Sequence, residues 1–144
     1  MKIINKPWTY VLAAVAAGLA VWIWFLFAPS GASNGFVVDV KLPALTADAA
    51  KGKAAFDANC AGCHGRDAAG TGKGPPLIHE IYNPGHHSDA AFFLAVRNGV
   101  RRHHWPYGDM PRQPQVEEVQ IAQIVQYVRE LQAANGIRYR SHGM

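Results

Sequence analysis

Cys60-Ala61-Gly62-Cys63-His64 decides how the rest of this 144-residue chain is read. Two cysteines separated by two residues, with a histidine directly after the second, are the spacing by which haem is attached covalently. Each thiol adds to a vinyl group, and the adjacent imidazole reaches the iron. Other chemistries fit the residues less well. A structural zinc site needs four ligands, so the two thiols and His64 would have to recruit a remote histidine such as His86. A thiol redox pair would sit beside a strand-helix pattern that is absent here. Both cysteines lie in the motif, so none is left for a structural disulfide. A compact domain of about 100 residues must then draw its stability from its core or from a cofactor.

Working outward from the motif, Thr46 caps a helix expected over 48–59, with Asp48 in its favourable first turn. Gly52 and Phe56 are four apart on one face of it. Glycine in a helix interior costs about 1 kcal/mol relative to alanine, and close approach of a second helix is the simplest reason to keep it. After His64 the run GRDAAGTGKGPPL is too rich in glycine and proline for regular structure. Gly62 and Gly65 free the backbone to wrap a flat ligand. Pro75 stands where its carbonyl can accept a hydrogen bond from the non-ligating nitrogen of His64.

Ser88 and Asp89 open a helix over 89–98 whose apolar face is Phe92, Phe93 and Val96, and Asn98-Gly99 ends it. Residues 101–111 form a loop fixed by Pro106, Gly108 and Pro111. Met110 is the one methionine inside the domain, the others being the chain ends Met1 and Met144. Beside a haem motif its thioether becomes the leading distal ligand, since His/Met ligation raises the potential. The strongest helical pattern spans 115–134, with Glu117 and Glu118 in its first turn, a stripe of Ile121, Ile124, Val128 and Leu131, and Asn135-Gly136 at its end. The basic tail 137–144 is expected to fray. No strand pattern and no internal repeat is visible.

Residues 8–28 (WTYVLAAVAAGLAVWIWFLFA) contain no charge. A helix of about 20 residues crosses the roughly 30 Å hydrocarbon layer, and Lys2 and Lys6 ahead of it place the N-terminus in the cytoplasm. Trp8, Tyr10, Trp22 and Trp24 suit interfacial belts. The alternative is a cleaved signal, with small residues Ser30-Gly31-Ala32 as the cut site; both readings export the domain. Residues 30–45 are expected to be a linker. From Asp48 onward eleven Lys or Arg face nine Asp or Glu. That is too mild a basic balance for nucleic-acid binding, which wants a dense basic stripe.

Together these residues resemble a class I c-type cytochrome of the membrane-anchored bacterial type, over roughly 46–136. Cys60, Cys63 and His64 match the family's attachment motif. Gly52 and Phe56 fall where its N-terminal helix packs on the C-terminal helix, whose aromatic residue is matched by Tyr127. Gly74-Pro75-Pro76-Leu77 is similar to its proximal loop, and Met110-Pro111 falls where its distal ligand is expected. The resemblance implies an all-α cytochrome c fold around one covalently attached haem c, preceded by a single transmembrane helix. The expected divisions are an anchor over 1–29, a linker over 30–45 and the haem domain over 46–144. It implies cofactor contacts from Cys60, Cys63, His64, Pro75, Leu77 and Met110, with His64 and Met110 on the iron. The paired histidines His86-His87 and His103-His104 depart from the family pattern and leave bis-histidine ligation open.

Three functions follow from this resemblance. The first is a non-enzymatic, membrane-anchored carrier of single electrons in the bacterial inner membrane, with its haem domain in the periplasm. Its partners would be a quinol-oxidising cytochrome bc complex and a terminal oxidase or other reductase. Arg97, Arg101, Arg102 and Arg112 would steer it towards acidic surfaces. The second is a fixed subunit of a larger membrane complex, with Ala14, Ala17, Gly18 and Ala20 as a helix contact. The third is a ligand-binding sensor or peroxidase using the paired histidines as distal acid/base groups.

Overall fold

The computed structural model describes residues 7–27 and 36–141. The tether over 29–34, its small-residue cut site, Lys2 and Lys6 lie outside them. The chain divides into two compact units, Met1–Ala32 and Ser33–Met144. In the first, helix α1 covers Pro7–Phe27, as the uncharged run predicts. The side chains described in it are those of residues 8–24. Among the described residues no helix is long and apolar enough to cross a membrane, so the expected span is present as a helix, without support as a crossing.

The second unit contains helices α2 (Ala47–Asn59), α3 (Ala61–His64), α4 (Asp89–Asn98) and α5 (Glu118–Ala134), with short 3-10 turns at Arg66–Ala68 and Glu80–Tyr82. Its one β feature among the described residues is an isolated antiparallel bridge between Val100 and Met110. The helical class expected from the sequence is therefore the class found.

The core is the crossing of α2 and α5. Thr46 caps α2 as expected, its hydroxyl accepting from Ala49 N at 3.3 Å. Glu130 on α5 reaches back to hold that cap, accepting from Thr46 Oγ1 at 2.6 Å and Thr46 N at 3.0 Å. At Gly52 the backbones come so close that a Cβ would stand 1.9 Å from Gln123 O, which explains the glycine. One turn on, Phe56 meets Tyr127 with ring centroids 5.6 Å apart, both rings essentially fully buried. Such an aromatic pair contributes about 0.5–1.5 kcal/mol beyond area burial. Ile121, Ile124, Val128 and Leu131 complete the buried stripe.

Three sequence expectations are corrected. Helix α5 begins at Glu118, not 115: Glu117 is its N-cap in a capping box with Gln120, whose Oε1 accepts from Glu117 N at 3.0 Å. Residues 36–45, expected as linker, are extended but strapped to the domain. Val38, Val40 and Leu45 pack onto the core, and Val38 N donates to Ala69 O at 2.9 Å while Asn135 both accepts from Lys41 N and donates to Lys41 O. Burial of three apolar side chains is what turns a tether into a strap. The start of the tail is also held: Ile137 is buried and its N–H donates to Gln132 O at 2.9 Å.

Candidate functional site

The motif sits where α2 ends. Cys60 caps both α2 and the single turn α3, its N–H donating to Phe56 O at 2.7 Å, and His64 closes that turn. Gly65 follows with φ +78°, a left-handed conformation that suits glycine, and a Cβ there would stand 2.3 Å from Gly70 O. Gly62, in contrast, lies within α3 and has open space around it, so the tight wrap falls to Gly65 alone of the two.

His64 Nδ1 stands 2.9 Å from Pro75 O, the contact that the order of residues in the loop suggested. The carbonyl accepts only, so Nδ1 carries the hydrogen and Nε2 keeps its lone pair for a ligand. Burial lowers the His64 pKa, with the Pro75 carbonyl opposing that shift. The ring is thus held neutral and oriented. The loop behind it is pinned by residues the sequence did not single out. Asp67 and Ala68 adopt φ of +55° and +60°, and Asp67 Oδ1 takes hydrogen bonds from Tyr127 Oη and Lys53 Nζ, each at 3.2 Å. The two acceptor contacts hold a backbone conformation that non-glycine residues rarely adopt. No pattern in the sequence marks it.

Cys60, His64, Pro75, Leu77 and Met110 line one cavity of about 410 Å³. All the residues expected to touch a cofactor are there except Cys63, an exposed residue absent from the lining. Phe56, Tyr82, Phe92, Val96 and Ile124 add an apolar wall. Met110 is fixed by its backbone bridge, Val100 N donating to Met110 O at 3.0 Å and Met110 N to Val100 O at 2.9 Å. His87, His103 and His104 also line this cavity, so histidine as well as sulfur reaches it. Desolvation is the largest cause of lowered pKa values at His87 and His104, and neighbouring histidines push the same way.

The far wall depends on Arg129 and Gln132, also unmarked in the sequence. Arg129 donates to Tyr82 O at 2.8 Å, His87 O at 2.5 Å and Asp89 Oδ1 at 2.7 Å, with its guanidinium 4.8 Å over the Phe92 ring. Gln132, 1% exposed, donates to Leu77 O at 2.9 Å and to Tyr82 O at 3.2 Å. Both sit on α5, and both satisfy carbonyls between Leu77 and His87 that burial would otherwise leave unpaired.

The chain matches the cytochrome c family over residues 49–132, which includes the motif, the proximal loop, Met110 and nearly all of α5. This chain belongs to the cytochrome c family. Comparison with curated proteins and with solved structures returned no match. A cytochrome c carries covalently attached haem c and serves as a haem-based electron carrier, and Cys60 to His64 fit its attachment motif. The residues present also fit the group. An apolar cavity lies beside a thiol and a neutral imidazole with a free lone pair. Trp105 lines it too, and its buried indole N–H, near the Tyr82 hydroxyl, makes no hydrogen bond of normal geometry among the described residues. That donor suits a group bearing carboxylates, as haem does in its propionates.

Proposed function

We propose that this cytochrome c is a membrane-anchored monohaem carrier, passing single electrons between respiratory complexes on the periplasmic side of the bacterial inner membrane. Haem iron supplies the one-electron couple when bound. Cys60 and Cys63 are the thioether anchors in this reading. His64 presents Nε2 to the iron while Pro75 O holds its Nδ1–H, which fixes the ring and raises the basicity of the ligand. Met110 would hold the iron through its thioether sulfur, and Leu77 would line the cofactor's cavity. The apolar walls from Phe56, Phe92, Val96 and Ile124 would surround much of a bound haem with hydrocarbon, which suits a carrier. The anchor rests on the uncharged run 8–28 behind Lys2 and Lys6. The choice of a quinol-oxidising bc complex as donor and a terminal oxidase or other reductase as acceptor rests on family analogy.

The observation that carries the reading is that His64, tied to Pro75, and Met110, tied to Val100, line the same apolar cavity as Cys60. Oxidised protein is expected to show the weak near-infrared band of sulfur ligation, and Met110→Ala to lose it. A band that is absent, or that survives the substitution, overturns Met110 as ligand and turns attention to His87, His103 or His104, which line the same space. Reduced protein is expected not to bind carbon monoxide; rapid binding favours the sensor or peroxidase instead.

A further inference from the structure

Four histidines outside the attachment motif converge from two loops at the cavity. His86 and His87 come from the turn after Glu80–Tyr82, and His103 and His104 from the loop between Val100 and Met110. His86 Nε2 and His104 Nε2 stand 3.1 Å apart. One ligand atom from each of His86, His87 and His104 lies within 4.8 Å of the other two. The ring of His103 is 4.2 Å from that of His104, but its Nδ1 is on Arg101 O at 2.8 Å and it stands outside the trio.

The trio has the features of a ligand set more than of a chance cluster. His87 Nδ1 meets Ile81 O at 2.7 Å, so that nitrogen carries the hydrogen and Nε2 keeps its lone pair. A second nitrogen bonded to a carbonyl is how metal-binding imidazoles are oriented. The backbone beneath is held as well. Arg129 donates to His87 O, and Asn83 Oδ1 accepts from Gly85 N at 2.9 Å and His86 N at 3.2 Å. On the other loop, Asp109 Oδ1 accepts from Arg102 N at 3.0 Å, next to the Val100–Met110 bridge. Around a tetrahedral ion with bonds of about 2.0–2.1 Å, neighbouring nitrogens stand about 3.3 Å apart. The His86–His104 pair is already near that spacing, and a ligand atom of His87 lies within 4.8 Å of both. Three imidazoles without a carboxylate select a borderline transition ion over calcium or magnesium, which take oxygen.

We propose that His86, His87 and His104 bind one divalent transition ion of the zinc type, with a fourth position open to solvent beside the exposed His104. The ion clamps the turn after Glu80–Tyr82 to the loop that carries Met110. The site requires that Met110, and neither His87 nor His104, be the distal haem ligand, because an imidazole on the iron cannot also hold the ion; the near-infrared band of sulfur ligation tells a failure of that ligation from a failure of the ion site.

The test is calorimetric titration of full-length, haem-loaded protein in detergent with Zn²⁺ alone. One ion per chain is expected. Loss of a direct ligand should cost more than the roughly 10- to 100-fold of an outer contact, so His86→Ala and His104→Ala should each weaken binding by at least about tenfold. His103→Gln should leave it within about threefold, and the haem absorption spectrum should not change on zinc addition. Binding without a defined stoichiometry, equal binding in the variants, or zinc uptake that displaces the haem spectrum overturns the proposal. If a variant fails to retain haem, X-ray absorption of the zinc-loaded wild type decides: three imidazole nitrogens at about 2.0–2.1 Å support the site, and fewer overturn it.

Discussion

Cys60 and Cys63 share one motif but not one environment. Cys60 is half-buried and lines the cavity, and burial, reinforced by the neighbouring Cys63, pushes its thiol up to about 11. Cys63 is exposed. The thiolate is the nucleophile, so at neutral pH a raised pKa leaves Cys60 almost wholly in the unreactive thiol form. In protein made without haem attachment that retains its helical circular dichroism, iodoacetamide should modify Cys63 first at about pH 8. The Cys60 rate should climb as pH rises towards its own value, since the thiolate fraction grows only there. Peptide mass mapping reads both sites, and equal labelling at the lower pH would contradict the assignment. At the same scale, the motif and Pro75 could be read from residue order. Asp67 and Ala68 could not, because their left-handed backbone is held by Tyr127 and Lys53 from other elements.

Among the elements, the α2–α5 crossing is the most exacting. Any side chain at position 52 must displace the backbone of Gln123, since a Cβ would lie 1.9 Å from its carbonyl oxygen. Gly52→Ala should gain helix propensity and still lose stability by about 1–3 kcal/mol, the cost of overpacking a close contact. Denaturant unfolding of the haem-loaded protein measures this. A neutral or stabilising result would mean that the helices separate without penalty. Helix α4 spans the residues that its capping and glycine signals predict, 89–98. Helix α5 starts three residues later than its apolar pattern suggests, because Glu117 and Gln120 exchange hydrogen bonds with each other's backbone. Periodicity locates the buried stripe, whereas the end of a helix is decided by which groups satisfy its free N–H donors.

For the molecule as a whole, charge and covering matter more than any single contact. Of the four arginines expected to steer docking, Arg97 is paired with Glu118, which leaves Arg101, Arg102 and Arg112 exposed. If these guide the domain to acidic partners, electron-transfer rates should fall as ionic strength rises, because exposed charges are screened beyond about 8–10 Å at physiological salt. Stopped-flow measurement with an acidic redox partner reads this, and a flat salt profile removes the arginines from docking. The local features were legible without coordinates: the attachment motif, three of the helices with the face each buries, the glycine at their crossing, and the histidine–carbonyl contact. Each is written in residues close in sequence, where spacing alone sets which groups can meet. Tertiary structure decided the rest. It folded 36–45 onto the core, placed Arg129 and Gln132 against carbonyls up to 55 residues away, and brought His86 and His87 to His104. Those contacts join segments whose separation along the chain carries no period, so only the packing of α5 against the loops could determine them.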